Sequence, residues 1–353
     1  MAKGMFGRER GSFRASYILV LAVLAALLAA MLVLHIAFGR TSFSIAEVAK
    51  ALLGVSKDAG TRHIVWNLRL PRVLVAMAAG AMLGLAGAIL QVVMRNPLVE
   101  PGLIGVSAGA VLSVVLAMQW WPGAAPTSGG LSWAALAGGM AAVVLIYLLN
   151  GRRGNSGARL ALTGIVATSV IQSATSLLLL RNQEGLSSVL LWNFGSLNGR
   201  VWMHWSHIWP WGLALFGLAM LLARHASLLR LGDETAAGLG LAVNRMKLLL
   251  LLAAAALTAA AVSAVGAIGF IGLIGPHIAR RLVGSQPLRL FPASALLSAV
   301  LLTAADWAGQ SITLTFVLPG MQHHVSSLPV GAVTTLLGAP FFLYLLRRPG
   351  ARR

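Results

Sequence analysis

The sequence predicts an all-α, polytopic membrane protein with about ten transmembrane helices. Three observations carry that prediction. Apolar runs of about 20 residues recur from one end of the chain to the other, the length a helix needs to cross a bilayer. The composition is 58% hydrophobic and only 10% charged, with a mean hydropathy of +0.85. Basic residues and tryptophans gather at the ends of those runs, and on opposite sides. No alternating ten-residue pattern suggests a barrel. The chain has no cysteine, which excludes disulfides and thiolate metal sites.

Residues 1–16 read as a basic tail with Lys3, Arg8, Arg10 and Arg14. The first span, Tyr17 to Phe38, is too long for the core of a cleavable signal, so a retained helix is expected. Arg40 to Arg72 is the longest polar stretch and ends in RLPR at Arg69 to Arg72. The second span is Val73 to Leu90, followed by RNPLVEPG at Arg95 to Gly102; the third is Leu103 to Met118. A Pro/Gly turn region leads to the fourth, Trp133 to Leu149, and a basic loop to the fifth, Leu160 to Leu180. The sixth is Trp205 to Leu222 and the seventh Met246 to Val265. Ile268 to Ala279 holds three glycines and Pro276, so a short, broken eighth span is expected, covered by other helices. Leu290 to Trp307 and Leu328 to Leu346 complete a single transmembrane domain over 1–353.

Ten spans put both termini on one side of the membrane. That side then carries 19 of the 27 basic residues, which predicts cytoplasmic termini. The net charge of +19 is thereby read as the positive-inside bias of a chain in lipid, not as a nucleic-acid surface. Tryptophans such as Trp66, Trp133 and Trp202 fall at the opposite, outer ends as an interfacial belt.

Residues 226–247 are the most informative stretch. Asp233 and Glu234 are the only adjacent acidic residues, with Arg230, Arg245 and Lys247 around them. A short amphipathic helix, a glycine turn at Gly238 to Gly240 and a second short helix are expected, the carboxylates suiting the first helix N-terminus. Leu231, Ala236, Ala237, Leu239 and Leu241 give it an apolar face, too apolar for an idle tether and suited to a soluble partner.

Other motifs weigh less. Gly80/Gly84 and Gly105/Gly109 have GxxxG spacing, which implies close helix packing. Gly105 to Gly109 also fits GxSxG around Ser107, but a nucleophile elbow needs a strand before it. An intramembrane serine protease, the competing reading, would need a histidine such as His35 or His277 beside Ser107. None of the four lysines follows a glycine, so no P-loop exists and the chain has no ATP site of that kind. His323 and His324 lack an acidic or third histidine neighbour, and no metal site is assigned. Asp306 is read as the only carboxylate in or near a span. With no ionisable coupling group between the spans, energy for transport is expected from outside the membrane.

RLPR, RNPLVEPGLIGVSAGA at Arg95 to Ala110, LGDETAAGLG at Leu231 to Gly240, GFIGLIGPHIAR at Gly269 to Arg280 and LPVGAVTTLLGAPFF at Leu328 to Phe342 occur in that order. Together they resemble the permease subunits of iron–siderophore, haem and vitamin B12 ABC importers. The resemblance implies the type II importer permease fold in the bacterial inner membrane. It also implies pairing with a second permease, identical or paralogous, and a cytoplasmic ATPase dimer that uses the ATP, the chain itself binding no cofactor. A periplasmic or lipoprotein substrate-binding protein would dock outside. Leu231, Gly232, Asp233, Glu234, Ala236, Ala237, Leu239 and Gly240 would couple to the ATPase, and Arg69 and Arg72 would meet acidic residues of the binding protein. Asn96, Pro97, Glu100, Pro101, Gly102, Ser107, Pro276 and His277 fall in the family's structural and pathway motifs. No residue is catalytic. The basic residue often found past the ninth span is Gln310 here, and an acidic residue before Leu-Pro-Val-Gly is Ser327. A ferric siderophore is the expected cargo, with haem or cobalamin as the alternative.

Overall fold

The computed structural model describes residues 2–39, 41–120, 129–151, 157–181, 192–311, 314–318, 321–325 and 328–347. Ser327 lies outside them. Ten helices stand where the ten spans were expected: α1 (Ala2–Ala37), α4 (Leu70–Val93), α5 (Val106–Trp120), α6 (Gly129–Asn150), α7 (Gly157–Arg181), α8 (Trp202–Leu229), α10 (Val243–Val265), α11 (Ile271–Val283), α12 (Pro287–Ser311) and α13 (Val330–Arg347). Among the described residues, seven helical stretches are long and apolar enough to cross a membrane. α5 and residues 330–345 of α13 are shorter apolar helices, and α11 has 13 residues.

Lipid tails are as apolar as leucine, so packing and hydrogen bonds, not burial from water, select which helices touch. α4 and α10 form the centre of the bundle and are largely buried, while α7 faces outward. Glycines make the central contacts possible. A Cβ on Gly84 would lie 2.3 Å from that of Ser298 on α12, and one on Gly109 would lie 2.5 Å from that of Ala142 on α6.

The eighth span differs from expectation in where it breaks. α11 runs through Pro276 without interruption, and the irregular backbone comes before it, at Gly266 (φ 77°) and Phe270 (φ 66°). The Glu100 carboxylate accepts the Phe270 backbone N–H at 2.9 Å, satisfying an amide at the start of the helix. Having no N–H, Pro276 leaves the carbonyl of Gly272 free of its helical bond. That carbonyl lies where a Cβ on Gly87 would come within 1.8 Å, so α4 and α11 meet backbone to backbone.

Two features were not foreseen. The polar stretch before the second span folds into α2 (Ile45–Leu52), α3 (Ala59–His63) and a π-helical segment, Ile64–Arg69, that continues into α4. Ser44 and Glu47 form a capping box on α2, and the Asp58 carboxylate accepts the Gly60 and Thr61 amides to cap α3. Beyond α12 lies a small antiparallel hairpin, β1 (Leu314–Leu318) and β2 (Met321–Val325), in which Phe316 pairs with His323 and Thr315 with His324. The histidine pair therefore belongs to a strand, where a loop was expected.

Two tryptophans of the expected belt meet in the structure. Trp66 and Trp202 rings are 5.6 Å apart, and the Trp202 indole donates to the Trp66 carbonyl at 3.0 Å. Trp192, also among the tryptophans expected at the outer ends, is buried within the chain.

Candidate functional site

The expected interhelical element is present as α9 (Asp233–Gly238), preceded by Gly232 at φ 116° and followed by a turn at Gly240, φ 84°. The second short helix is not separate; it is the first turn of α10. Ala236 is fully buried against the bundle, whereas Leu231 and Leu239 are 59% and 60% exposed and Ala237 is exposed with them. An apolar patch of Leu231, Ala237 and Leu239 thus faces away from the protein, on and beside a helix whose other face is fixed.

Asp233 does the fixing. Its carboxylate takes Lys247 Nζ of α10 at 2.5 Å and the guanidinium of Arg95. Arg95 also donates from Nε to the Leu229 carbonyl at 3.0 Å. Partial burial raises the Asp233 carboxyl, but the Lys247 and Arg95 charges outweigh it and hold the group below the usual carboxylate range. Glu234 is exposed and makes no ion pair among the described residues. Asp233 pairs within the chain; Glu234 is the acidic group turned outward. Sequence reasoning placed Lys247 nearby but missed Arg95, whose only signal was a lone cation after the second span.

From Arg95 the chain re-enters the bundle. The Asn96 side chain accepts the Leu98 amide at 2.9 Å, turning the chain at Pro97. Pro101 packs on Gly272 of α11 so closely that a Cβ there would lie 2.5 Å from the ring. Glu100 and Gly102 then line a cleft of about 810 Å³ between α5, α7 and α13, with Ser107, Gln172, Asn193 and Thr335 on its walls. Asp306 is therefore not the only carboxylate among the helices. The rest of the cleft lining is largely small and apolar, with Ala108, Ile268, Ala332 and Leu336 among it.

The two RLPR arginines sit at the far end of the bundle. Both were expected to be available to a partner, and both are engaged within the chain. Arg69 donates to the carbonyls of Ile36 (2.6 Å) and Ala37 (3.2 Å) and lies 4.8 Å from the Phe43 ring centre. Arg72 donates to both carboxylate oxygens of Asp306 at 2.8 Å and to Asn198 at 2.8 Å. His35 Nε2 and Gln310 Nε2 donate to the same carboxylate at 2.8 and 3.0 Å. His35 Nδ1 is buried without a partner, which fits an imidazole protonated at Nε2. Gln310, which stands where a docking cation was expected, serves this network. Burial and the neighbouring Arg72 bring Arg200 down to about 10. The sequence carried one signal for the network: an imidazole and a carboxylate, His35 and Asp306, each in an otherwise apolar span.

Among the described residues, no nucleophile and base are brought together. Ser107 lies in the first turn of α5, after Gly105 at φ 76° and no strand. His35 serves Asp306, and His277 stacks edge-on against Phe341 at 5.8 Å. No hydrogen bond joins Ser107 to a histidine among the described residues.

Comparison with known proteins agrees with this architecture. The Fe(3+)-citrate import system permease protein YfmE of Bacillus subtilis (strain 168) is 37% identical over 94% of this chain and 95% of its own. The ferric enterobactin transport system permease protein FepG of Escherichia coli (strain K12) is 39% identical over 87% and 89%. A solved structure presented as an inward-facing metal-chelate type ABC transporter superposes with a TM-score of 0.79, at 28% identity, over 93% of this chain and 98% of that one. Residues 27–348 match the FecCD transport family, and the chain, a multi-pass membrane protein and a transport permease, belongs to it.

Proposed function

We propose that the chain is the transmembrane permease subunit of an ATP-driven importer that carries a ferric siderophore across the bacterial inner membrane. The observation that carries this reading is α9: an exposed apolar patch at Leu231, Ala237 and Leu239 on a helix pinned from behind by Asp233. A slack loop would absorb a partner's displacement; a pinned helix passes it on. The iron-chelate cargoes named for the relatives support the siderophore. The partners in this reading are an ATPase dimer at α9, a second permease, identical or paralogous, and a periplasmic or lipoprotein binding protein at the opposite face. ATP is used by the ATPase; the permease binds no cofactor. Both termini are cytoplasmic, with residues 1–16 as a tail and 226–247 as the coupling segment of one domain spanning 1–353.

The cleft beside α7 and α13 is one wall of the cargo pathway. Its amide, hydroxyl and carboxylate groups suit a chelate that presents polar edges around an enclosed metal, since few convergent polar groups fix a ligand's orientation. Arg69 and Arg72 contribute to binding-protein docking through the positive field of that end of the molecule, steering association more than holding the complex.

The test is uptake into proteoliposomes containing this chain with its ATPase and binding protein. ATP-dependent entry of a ferric siderophore in preference to haem and cobalamin is expected. Preferential entry of haem or cobalamin would reassign the cargo, and no ATP-dependent uptake of any chelate would overturn the reading.

A further inference from the structure

A second cavity, of about 460 Å³, lies at the end of the bundle that carries α9. Arg230 at the end of α8, Arg281 on α11 and Arg289 on α12 converge on it, beside Ser16 and Tyr17 of α1. No acidic side chain lines it, and none of the three arginines is in an ion pair among the described residues. Arg230 donates to the Ser285 hydroxyl, and Arg289 lies 5.9 Å from the Tyr17 ring centre. These contacts hold two guanidinium groups toward the cavity without neutralising them. Three converging cations repel one another, and an anion among them relieves that repulsion.

The surroundings identify that anion. Ser16 opens the apolar span of α1, Ser16–Ala37, so the cavity sits where water gives way to hydrocarbon. Its flanks are apolar and open: Ile18 and Leu19 are each 64% exposed and Leu282 is 49% exposed. A free anion has no use for such flanks, whereas a phospholipid lays its acyl chains along them. Arginine is suited to the head, because its planar fork binds phosphate oxygens in pairs. We infer that Arg230, Arg281 and Arg289 form a specific site for the phosphodiester headgroup of an anionic phospholipid. The site ties α1, α8, α11 and α12 together on one lipid molecule, at the base of the segment leading into α9. It does not depend on which cargo the protein carries.

The test is native mass spectrometry of the full-length protein in detergent, titrated with phosphatidylglycerol, phosphatidylcholine or inorganic phosphate. Wild type is expected to retain one phosphatidylglycerol in preference to phosphatidylcholine. Arg230→Gln/Arg281→Gln/Arg289→Gln should lose that preference, and Arg281→Gln alone, at an exposed position, should weaken it about fivefold. A control of equal charge change, Arg224→Gln/Arg245→Gln/Arg347→Gln, should retain it. Equal loss in the control would reduce the effect to diffuse attraction between a basic surface and acidic lipid and overturn the site. Displacement of the lipid by millimolar inorganic phosphate, or no preference for phosphatidylglycerol in wild type, would overturn it as well. So would retention of the preference by both arginine variants.

Discussion

Arg72 grips Asp306 side-on across 234 positions of sequence, its Nε and Nη2 each 2.8 Å from a carboxylate oxygen. Asp306 is buried, and His35 closes the carboxylate from α1. A buried pair adds little over well-packed apolar groups, but removing one partner strands the other charge. Asp306→Asn is therefore expected to cost about 3–5 kcal/mol, read as a lowered unfolding temperature in detergent. Arg72→Met/Asp306→Leu should recover most of the loss. Unchanged stability in Asp306→Asn would mean that the pair does not hold α1, α4 and α12 together.

The same engagement alters how docking must be tested. Charge reversal at Arg69 or Arg72 would damage the permease and confuse the result. Lysine keeps the charge but loses the fork that reaches two acceptors at once. Arg69→Lys/Arg72→Lys is expected to lower stability yet keep the association rate of the binding protein, whereas Arg69→Gln/Arg72→Gln slows it and flattens its salt dependence. Equal rates for the lysine and glutamine forms at low salt would remove both residues from docking.

Asp233 sets how firmly α9 is held. Its side chain is 46% exposed, so its two ion pairs are worth about 0–1 kcal/mol. Asp233→Asn should speed backbone hydrogen exchange in residues 233–238 by no more than about fivefold. The Asp233 carboxyl is held below its unfolded value, so its contribution is complete above the unfolded pKa. It is lost as pH falls through the lower, folded value. Exchange in α9 should thus be insensitive to this group at neutral pH and accelerate only in acid. A midpoint near neutrality would show that another group holds the helix.

Much of this was legible in the sequence, and the reason differs from element to element. Each long span announced itself because hydrocarbon demands an unbroken apolar helix. That Leu231, Ala236, Ala237 and Leu239 are apolar was readable, although the structure does not gather them on one face: Leu231 and Leu239 flank α9 and are exposed, whereas Ala236 is buried. The division between buried Ala236 and exposed Ala237 was not, because it depends on which way α9 docks. Pro276 misled: a proline usually breaks a helix, yet here the freed Gly272 carbonyl meets the bare backbone of Gly87, and the break falls at Phe270. His35, Arg72, Asp306 and Gln310 were visible singly, but nothing in the chain between them says that three helix ends converge.

Orientation is testable with single cysteines in a chain that has none. Lys57 and Glu234 are both exposed and lie on opposite sides of the proposed topology. Lys57→Cys should react with an impermeant thiol reagent in sealed cells, and Glu234→Cys only after the membrane is opened. The reverse pattern would invert the whole assignment.

The most direct measurement is made at Ala237. Ala237→Arg sets a bulky cation in the middle of the exposed patch while Ala236 keeps α9 seated on the bundle. No span is touched, so folding and insertion should be normal. In proteoliposomes of the whole transporter, ATP hydrolysis by the partner should continue while chelate uptake falls at least about tenfold, the loss of some 1.4 kcal/mol of productive contact. Uptake at the normal rate in Ala237→Arg would contradict the assignment of α9 as the coupling element.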